Sequence, residues 1–338
     1  MAVMKLSWAG FRDDAPFREQ VQTIAPVGFD TLAVTETGHD PFIRAAVAVE
    51  HTERVEIMTG IVVAFARTPM LLAYAAHDLN ALSGGRFIMG LGSQVKAHIT
   101  KRFSMPWSEP AERMREMIRA IHAIWDCWYD GKPLDFRGRF YTHTLMTPYF
   151  TPTDTQFGRA KIHLAAVGTH MTNVAAEGAD GMICHTFTTE RYVREVTMPA
   201  IEAGLKQSRR QRRDFELTGV PFVATGWNDE ALEESIAEVR RQIAFYGSTP
   251  AYRGVLELHG WGDLQTELNA LSKQGRWEEM GRLIDDRILE AFAVVGRPEH
   301  ATRELRRRFD GVFDRMTVNF GLSSESLPPI LELLRSGT

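Results

Sequence analysis

Hydrophobic and polar positions along this chain follow two different periods. Short, nearly continuous apolar runs, such as residues 86–92 (RFIMGLG), are typical of strands that are buried on both faces. The longer segments between these runs place apolar residues three and four positions apart, which predicts amphipathic helices. The apolar runs predict eight strands, at residues 3–10, 30–36, 55–66, 86–92, 161–168, 180–187, 215–226 and 313–321.

The alternation of strands and helices predicts an α/β fold with a parallel sheet. Eight strand–helix units in 338 residues favour a closed (β/α)8 barrel, or TIM barrel, over an open doubly wound sheet. Two segments interrupt the rhythm: residues 131–158 after the fourth strand, and a helical stretch at about 228–288 after the seventh. We interpret both as insertions within a single domain that covers residues 1–338.

Composition excludes several classes of partner. The formal net charge is −4, which favours neither nucleic acid nor an anionic membrane surface. The N-terminal segment lacks the apolar core of a signal peptide, and no apolar run approaches the ~18 residues of a membrane span. Cys127 and Cys184 fit no metal-ligand spacing and suit a reducing compartment. We therefore expect a cytoplasmic protein with a small-molecule substrate and no bound metal.

The glycines of residues 82–94 (LSGGRFIMGLGSQ) raise the question of a phosphate-binding loop. A dinucleotide fingerprint needs Gly-x-Gly-x-x-Gly, and after Gly90 and Gly92 the third position is Val95. Gly84 and Gly85 follow a helical pattern that opens with Thr68-Pro69, so we interpret them as a helix C-cap. The dinucleotide interpretation is therefore rejected.

Chemistry in such a barrel lies at the C-terminal ends of the strands. In this sequence those ends are rich in glycine, small residues, hydroxyl groups and histidine, and they offer neither a carboxylate pair nor a nucleophile beside a base. Direct hydrolysis is therefore poorly supported. Small residues at the strand ends suit a large flat cofactor that lies against the backbone.

Residues 62–99 (VVAFARTPMLLAYAAHDLNALSGGRFIMGLGSQVKAHI) resemble the bacterial-luciferase-like family, and within it the oxidoreductases that use the deazaflavin coenzyme F420. Residues 176–187 (AEGADGMICHTF) and 294–305 (VVGRPEHATREL) are similar to later landmarks of that family. The resemblance implies hydride transfer between F420 and a small organic substrate. It also implies a homo-oligomer, a dimer or larger.

The resemblance implies that the polar residues ending the second strand take part in proton transfer, which makes Glu36 and His39 the catalytic candidates. The structural alternative is that Glu36 caps backbone amides and His39 caps the next helix. The family's sugar-phosphate dehydrogenases carry Asp-His where this chain has Glu36-Thr37, and an acid expected after the fourth strand falls on Val95. Sugar-phosphate dehydrogenation is therefore disfavoured.

The resemblance also implies where the cofactor binds. A bulge with a cis peptide at Ile61-Val62 would support the centre of the ring, and Gly90 and Gly92 would allow close approach of backbone and cofactor. The phosphate is expected at Gly168-Thr169, because free N–H groups at a helix N-terminus attract phosphate. The cofactor-binding candidates are Thr37, Val62, Ala64, Ser93, Gln94, His98, Ala166, Gly168, Thr169, His170, His185 and Thr186.

Two other functions are compatible with the sequence. The same barrel could bind FMN and act as a two-component monooxygenase, since both cofactors carry a ribityl phosphate. It could also be a non-catalytic barrel that binds a small molecule or cofactor. Tyr246, Ser248 and Arg253 open the second insertion, and we expect them to form a lid that meets the substrate.

Overall fold

Eight parallel strands close into a barrel in this computed structural model, which describes residues 4–321 and 324–336. Val3, the start of the first predicted strand, lies outside the described residues. Each strand pairs with the next along the chain, β3 pairs with β4 through Ile57 and Phe87, and β8 returns to β1. The predicted TIM barrel is confirmed. The strands are β1 (Lys5–Trp8), β2 (Thr31–Val34), β3 (Glu56–Thr59), β4 (Phe87–Gly92), β5 (Lys161–Ala166), β6 (Gly181–Cys184), β7 (Glu216–Gly219) and β8 (Arg315–Val318).

Helices surround this barrel and fill the second insertion. In the first half of the chain they are α1 (Phe17–Ile24), α2 (Pro41–Glu50), α3 (Pro69–Leu82), α4 (Pro110–Asp130) and α5 (Gly168–Gly178). A short helix α6 (Glu190–Tyr192) continues through a wide turn into α7 (Met198–Gln207). The others are α8 (Asp229–Gly247), α9 (Arg253–Leu258), α10 (Gly262–Lys273), α11 (Trp277–Arg282), α12 (Asp286–Phe292), α13 (Pro298–Phe309) and α14 (Leu327–Ser336).

Helix α3 begins and ends as its sequence predicts. The Thr68 hydroxyl accepts the N–H of Leu71 at 3.3 Å, and Pro69 occupies the first turn. Gly84 and Gly85 follow the helix with φ of 66° and 88°, in the left-handed region that favours glycine. The glycine pair is therefore the predicted C-cap, and it orients the chain into β4.

Both insertions are present. After β4, the pairing of Phe136–Arg137 with Thr142–His143 forms a hairpin whose tip binds the Glu116 carboxylate of α4 through three backbone N–H groups. After β7, helices α8 to α12 surround an apolar core of their own, which Phe187 and Tyr192 join from the barrel side. The interpretation of residues 1–338 as one domain stays a prediction.

All eight predicted strands are longer than the observed ones, and the excess is largest for β3 and β7. β3 ends at Thr59, just before the cis peptide between Gly60 and Ile61, and the short strand Val62–Val63 then pairs with the end of β4. β7 ends at Gly219, shortly before Pro221, which has no N–H to donate to a neighbouring strand. The following residues, Phe222–Ala224, leave the barrel and pair with Ala293–Val295 beside the second insertion.

A buried ion-pair cluster occupies the N-terminal end of the barrel, opposite the end where chemistry is expected. Arg315 has no exposed surface, and its guanidinium lies 2.7 Å from Glu56 and 2.6 Å from Glu216. Burial alone would raise the pKa of Glu56, but Arg315 and Lys5 lower that pKa to about 2. The cluster holds β1, β3, β7 and β8 together by charge.

Within the part of the chain that the structure describes, no helix has the length and apolar character needed to cross a bilayer.

Candidate active site

The end of β2 carries a carboxylate that is bound on several sides by protein. Glu36 accepts the backbone N–H of Val63 at 2.7 Å, and both of its oxygens lie within 3.0 Å of Arg67 Nη1. Arg67 also donates to Asp40 at 2.7 Å. Glu36 therefore caps a backbone amide, as the structural alternative predicted, and its ion pair connects β2 to the start of α3. Its proton-transfer role stays a prediction.

His39 and Thr37 lie on the exposed loop between β2 and α2. The His39 side chain is 53% exposed, and its Nε2 lies 3.4 Å from Asp13. His39 does not cap α2, because the cap is Asp40, whose carboxylate accepts the N–H groups of Phe42 and Ile43. Arg102 donates to the Thr37 carbonyl at 2.6 Å and so ties this loop to the one after β4. His39 is accessible to solvent and to a bound molecule.

The end of β3 has the expected bulge. The cis peptide joins Gly60 and Ile61, one bond before the predicted position at Ile61-Val62. Val62 and Ala64 have no exposed surface, whereas Gly60 and Ile61 are partly exposed. The surface offered to a cofactor at this strand is therefore that of Gly60 and Ile61. Our choice of Val62 and Ala64 as contact residues is corrected accordingly.

The two glycines of β4 pack against protein. A Cβ on Gly90 would lie 1.8 Å from the Thr59 carbonyl oxygen, and one on Gly92 would lie 2.7 Å from Ile61. Both glycines are thus required for close packing of β4 against β3 and its bulge. The expectation that their role is close approach to a cofactor is corrected.

The loop after β4 carries three predicted cofactor contacts. Ser93 and Gln94 are half-buried at the strand end, with Gln94 at a φ of 59° and its side-chain oxygen accepting the N–H of Val95. His98 is exposed and begins a short π-helical turn. These side chains lie at the barrel mouth, the C-terminal end of the strands.

Helix α5 begins directly at the end of β5 and presents its N-terminus to the mouth. Gly168 has a φ of 74°, and a Cβ added there would contact no other atom within 4 Å. No side chain of the preceding residue, Val167, caps the helix. Thr169 and His170, in the first turn, are exposed, while Ala166 is buried. The first N–H groups of α5 thus face open space.

The end of β6 completes this side of the mouth. One small cavity is lined by Ala166, Gly168, His185 and Thr188, together with buried residues of β6 and α6. The structure therefore brings predicted residues of the fifth and sixth strands together. Thr186 lies beside them, half-buried, and its carbonyl accepts the N–H of Thr188 at 2.9 Å.

The second insertion reaches the mouth through a pair of tyrosines. The hydroxyl of Tyr252 lies 3.2 Å from His185 Nε2, and the Tyr246 ring packs edge-on against the imidazole at 4.8 Å. Burial lowers the pKa of His185 to about 4 and raises that of Tyr252 to about 12. Both groups are therefore uncharged at neutral pH.

The predicted lid residues divide into two groups. Tyr246 does reach the site. Ser248 bonds to the Phe245 carbonyl, and Arg253 is held by Glu257 at 2.6 Å and Thr266 at 3.0 Å, so neither contacts the residues at the strand ends. Sequence reasoning missed Tyr252, which lies between Ser248 and Arg253. An aromatic residue close to Tyr246 was the available signal.

A larger cleft lies elsewhere and does not belong to this site. It has a volume of about 670 Å³ between α4, α5 and α7, at the C-terminal end of α5. Arg115 in its wall is bound by Glu177 and Glu112, and Arg210 by the carbonyls of Ala176 and Ala179. Its polar groups are thus largely used within the fold.

Comparison with known proteins places this geometry in a family. The sequence pattern of the luciferase-like monooxygenase family matches residues 13–315. An uncharacterized protein of Mycobacterium tuberculosis is 51% identical over 298 residues, 88% of each chain. The F420-dependent glucose-6-phosphate dehydrogenase of Intrasporangium calvum is 24% identical over 339 residues, 94% of this chain and 93% of that one.

Solved structures share the architecture. The coenzyme F420-dependent tetrahydromethanopterin reductase of Methanopyrus kandleri superposes with a TM-score of 0.78 at 18% identity, covering 100% of this chain and 98% of that one. The oxygenating constituent of 3,6-diketocamphane monooxygenase from Pseudomonas putida, in complex with FMN, gives 0.67 at 13% identity, covering 99% and 98%. At these identities the likeness shows the fold.

This chain belongs to the luciferase-like monooxygenase family.

Proposed function

We propose that this enzyme binds coenzyme F420 at the barrel mouth and transfers a hydride between the deazaflavin and a small organic substrate. The observation that carries the proposal is the N-terminus of α5, which is open above Gly168 and shares a cavity with His185 and Thr188. The F420-dependent relatives support the choice of cofactor.

The residues at the mouth fit a deazaflavin. The N–H groups at the start of α5 would hold the ribityl phosphate, because a helix N-terminus combines free donors with a positive dipole. The Thr188 hydroxyl would add a donor from the neighbouring strand end. Ile61 at the bulge would support one face of the ring, and Ser93 and Gln94 would approach its polar edge. F420, when bound, supplies or accepts the hydride at its C5 position.

The protein's part in the reaction is to orient the ring and the substrate, exclude water and handle one proton. His39 is our candidate for the proton-transfer group because it is accessible and because an imidazole ring can both donate and accept a proton. Glu36, which is bound by Arg67 and a backbone amide, would act mainly by holding the loop after β2 in place.

An FMN-dependent monooxygenase is the second candidate function, favoured by the FMN-containing structure that shares this fold. The phosphate site alone does not separate the two cofactors. The difference lies in the ring, since only a flavin forms a stable oxygen adduct. A barrel that binds a small molecule without catalysis is the third.

Titration with F420 and with FMN in parallel, followed by fluorescence, tests the proposal. We expect F420 to bind at least about tenfold more tightly, equivalent to about 1.4 kcal/mol. Equal affinities or tighter FMN binding would contradict it and support the monooxygenase. Binding of neither cofactor would support the non-catalytic barrel.

We further propose that the enzyme works in the cytoplasm as a homodimer or larger oligomer, with no nucleic-acid or membrane partner. Large apolar side chains are exposed on α2, on α3 and in the first insertion, at Ile43, Leu71, Tyr149 and Phe150. The first insertion lies beside α3 through the bond from the Tyr74 hydroxyl to the Phe150 carbonyl, and α2 packs against α3, so these side chains favour an interaction site in this region. Light scattering should give at least twice the chain mass for the wild type and a lower mass for Leu71→Lys; a monomeric wild type would contradict the proposal.

A further inference from the structure

The contact between His185 and Tyr252 joins the barrel to the second insertion at the mouth. His185 follows β6 directly, and Tyr252 precedes α9 of the insertion. Their ring centroids lie 4.6 Å apart, and the Tyr252 ring stacks on Phe187 at 5.8 Å. The tyrosine is thus held on two sides by residues that follow β6.

The hydrogen bonds of His185 determine which ring nitrogen carries its proton. The backbone N–H of Phe187 donates to His185 Nδ1 at 3.0 Å, so Nδ1 must be unprotonated. Burial keeps the ring neutral by lowering its pKa to about 4, so the single proton lies on Nε2. Nε2–H therefore donates to the Tyr252 oxygen, 3.2 Å away.

It follows that the hydroxyl proton of Tyr252 is not used in this contact. Among residues 4–321 and 324–336, no other protein group bonds to the Tyr252 hydroxyl. Burial, with the nearby Tyr246 phenol, raises the pKa of Tyr252 to about 12, so the phenol keeps its proton at neutral pH. The Tyr252 hydroxyl is therefore a hydrogen-bond donor in a fixed position, and it has no acceptor among the described residues.

The surroundings of this donor favour an uncharged acceptor. The neighbouring rings are those of His185, Phe187 and Tyr246. The nearest basic residue in sequence, Arg253, is bound by Glu257 and Thr266. Arg253 is therefore not available to pair with a carboxylate of the substrate, whereas a carbonyl oxygen needs only the hydrogen bond.

We propose that Tyr252 donates a hydrogen bond to the carbonyl oxygen of an uncharged substrate and that His185 is the positioning residue that aims this donor. The inference rests on the proposed function, because a carbonyl held at this mouth is a group to which a hydride can be added. A donor directed at an oxygen that becomes negative favours such a transfer.

The test uses cyclohexanone labelled with ¹³C at the carbonyl, added to the F420-saturated protein and observed by NMR. We expect binding with a downfield carbonyl shift, and Tyr252→Phe should weaken binding about fivefold, as for loss of one hydrogen bond of about 1 kcal/mol, and remove the shift. The dissociation constant for F420 should stay within about threefold. A wild type that does not bind the ketone, or a Tyr252→Phe protein with the same affinity and shift, overturns the inference.

Variants of His185 test whether this residue orients the Tyr252 hydroxyl by a hydrogen bond or only packs against the Tyr252 ring. His185→Gln can still accept from the Phe187 N–H and donate to Tyr252, so it should keep the shift, whereas His185→Phe should lose it. Tyr129→Phe is the matched control, because it removes another tyrosine–histidine contact, 2.7 Å to His77, between α3 and α4. If His185→Gln loses the carbonyl shift as fully as His185→Phe does, His185 does not orient the Tyr252 hydroxyl through its hydrogen bond. Loss of the shift in Tyr129→Phe would also overturn this role.

The two proposals fail separately. If the wild type does not bind F420, the proposed function fails, and the ketone titration is repeated on the protein alone. The dependence of ketone binding on Tyr252 then still decides this inference.

Discussion

Arg67 Nη1 lies 2.8 Å from Glu36 Oε2, and this ion pair is nearly buried, with the glutamate side chain only 7% exposed. It connects the end of β2 to the residue that precedes the capped start of α3. The same carboxylate accepts the Val63 N–H just beyond the cis peptide. The pair therefore fixes the relative position of two strand ends at the mouth.

Replacing Glu36 with glutamine should lower the free energy of unfolding by about 1–3 kcal/mol. The change leaves a partly buried guanidinium with Asp40 as its one remaining carboxylate partner. Chemical denaturation measures the effect, and Glu50→Gln, on the exposed end of α2, is the control that should change little. Equal stability of the Glu36 and Glu50 variants would show that the Glu36–Arg67 ion pair does not stabilise the barrel mouth.

The Glu56–Arg315 pair predicts a loss of stability in acid. The pKa of Glu56 is lower in the folded protein than in the unfolded chain, so its contribution is complete above about pH 5 and is lost as the pH falls towards 2. The difference between 4.5 and about 2 corresponds to about 3 kcal/mol. Denaturation at several pH values should show this decline.

Glu56→Gln tests the assignment of that decline. The variant should be less stable at pH 7 and should show a shallower dependence on pH in the acid range, because the titrating group is gone. Glu50→Gln removes an exposed carboxylate at the end of α2 and should keep the wild-type slope. An unchanged slope in Glu56→Gln would assign the acid sensitivity to other groups.

Gly168→Leu should raise the dissociation constant for F420 by at least about tenfold, because the side chain would enter the space above the start of α5. The left-handed φ of 74° also makes any other residue strained there, at a cost of about 1–2 kcal/mol. Gly131→Leu is the matched control, since Gly131 has a φ of 67° and equally open space at the end of α4. If Gly168→Leu and Gly131→Leu lose similar stability and bind F420 with similar affinity, the phosphate binds elsewhere.

His39→Ala should lower kcat by about 10² or more and remove one limb of the pH profile, while the affinity for F420 stays within about threefold. The measurement uses a substrate found by following oxidation of reduced F420. His300→Ala, an exposed histidine on α13, should leave kcat unchanged. Full turnover by His39→Ala would assign the proton to water or to another group.

The sequence predicted all eight strands because a strand covered on both faces is a continuous apolar run. It extended β3 and β7 too far, because the apolar run continues past Thr59 and past Gly219, where the observed strands end. It located Gly168 and His185, since strand ends follow directly from the strands. It could not show that Glu36 binds Arg67, 31 positions away, or that Tyr252 turns back to His185, because both contacts depend on tertiary packing.

A crystal structure of the F420 complex tests the central claim most directly. The account predicts the ribityl phosphate within hydrogen-bond distance, about 3 Å, of the N–H groups at Gly168 and Thr169, with the ring against Ile61. A phosphate bound away from α5, or a ring bound outside the mouth, would contradict it.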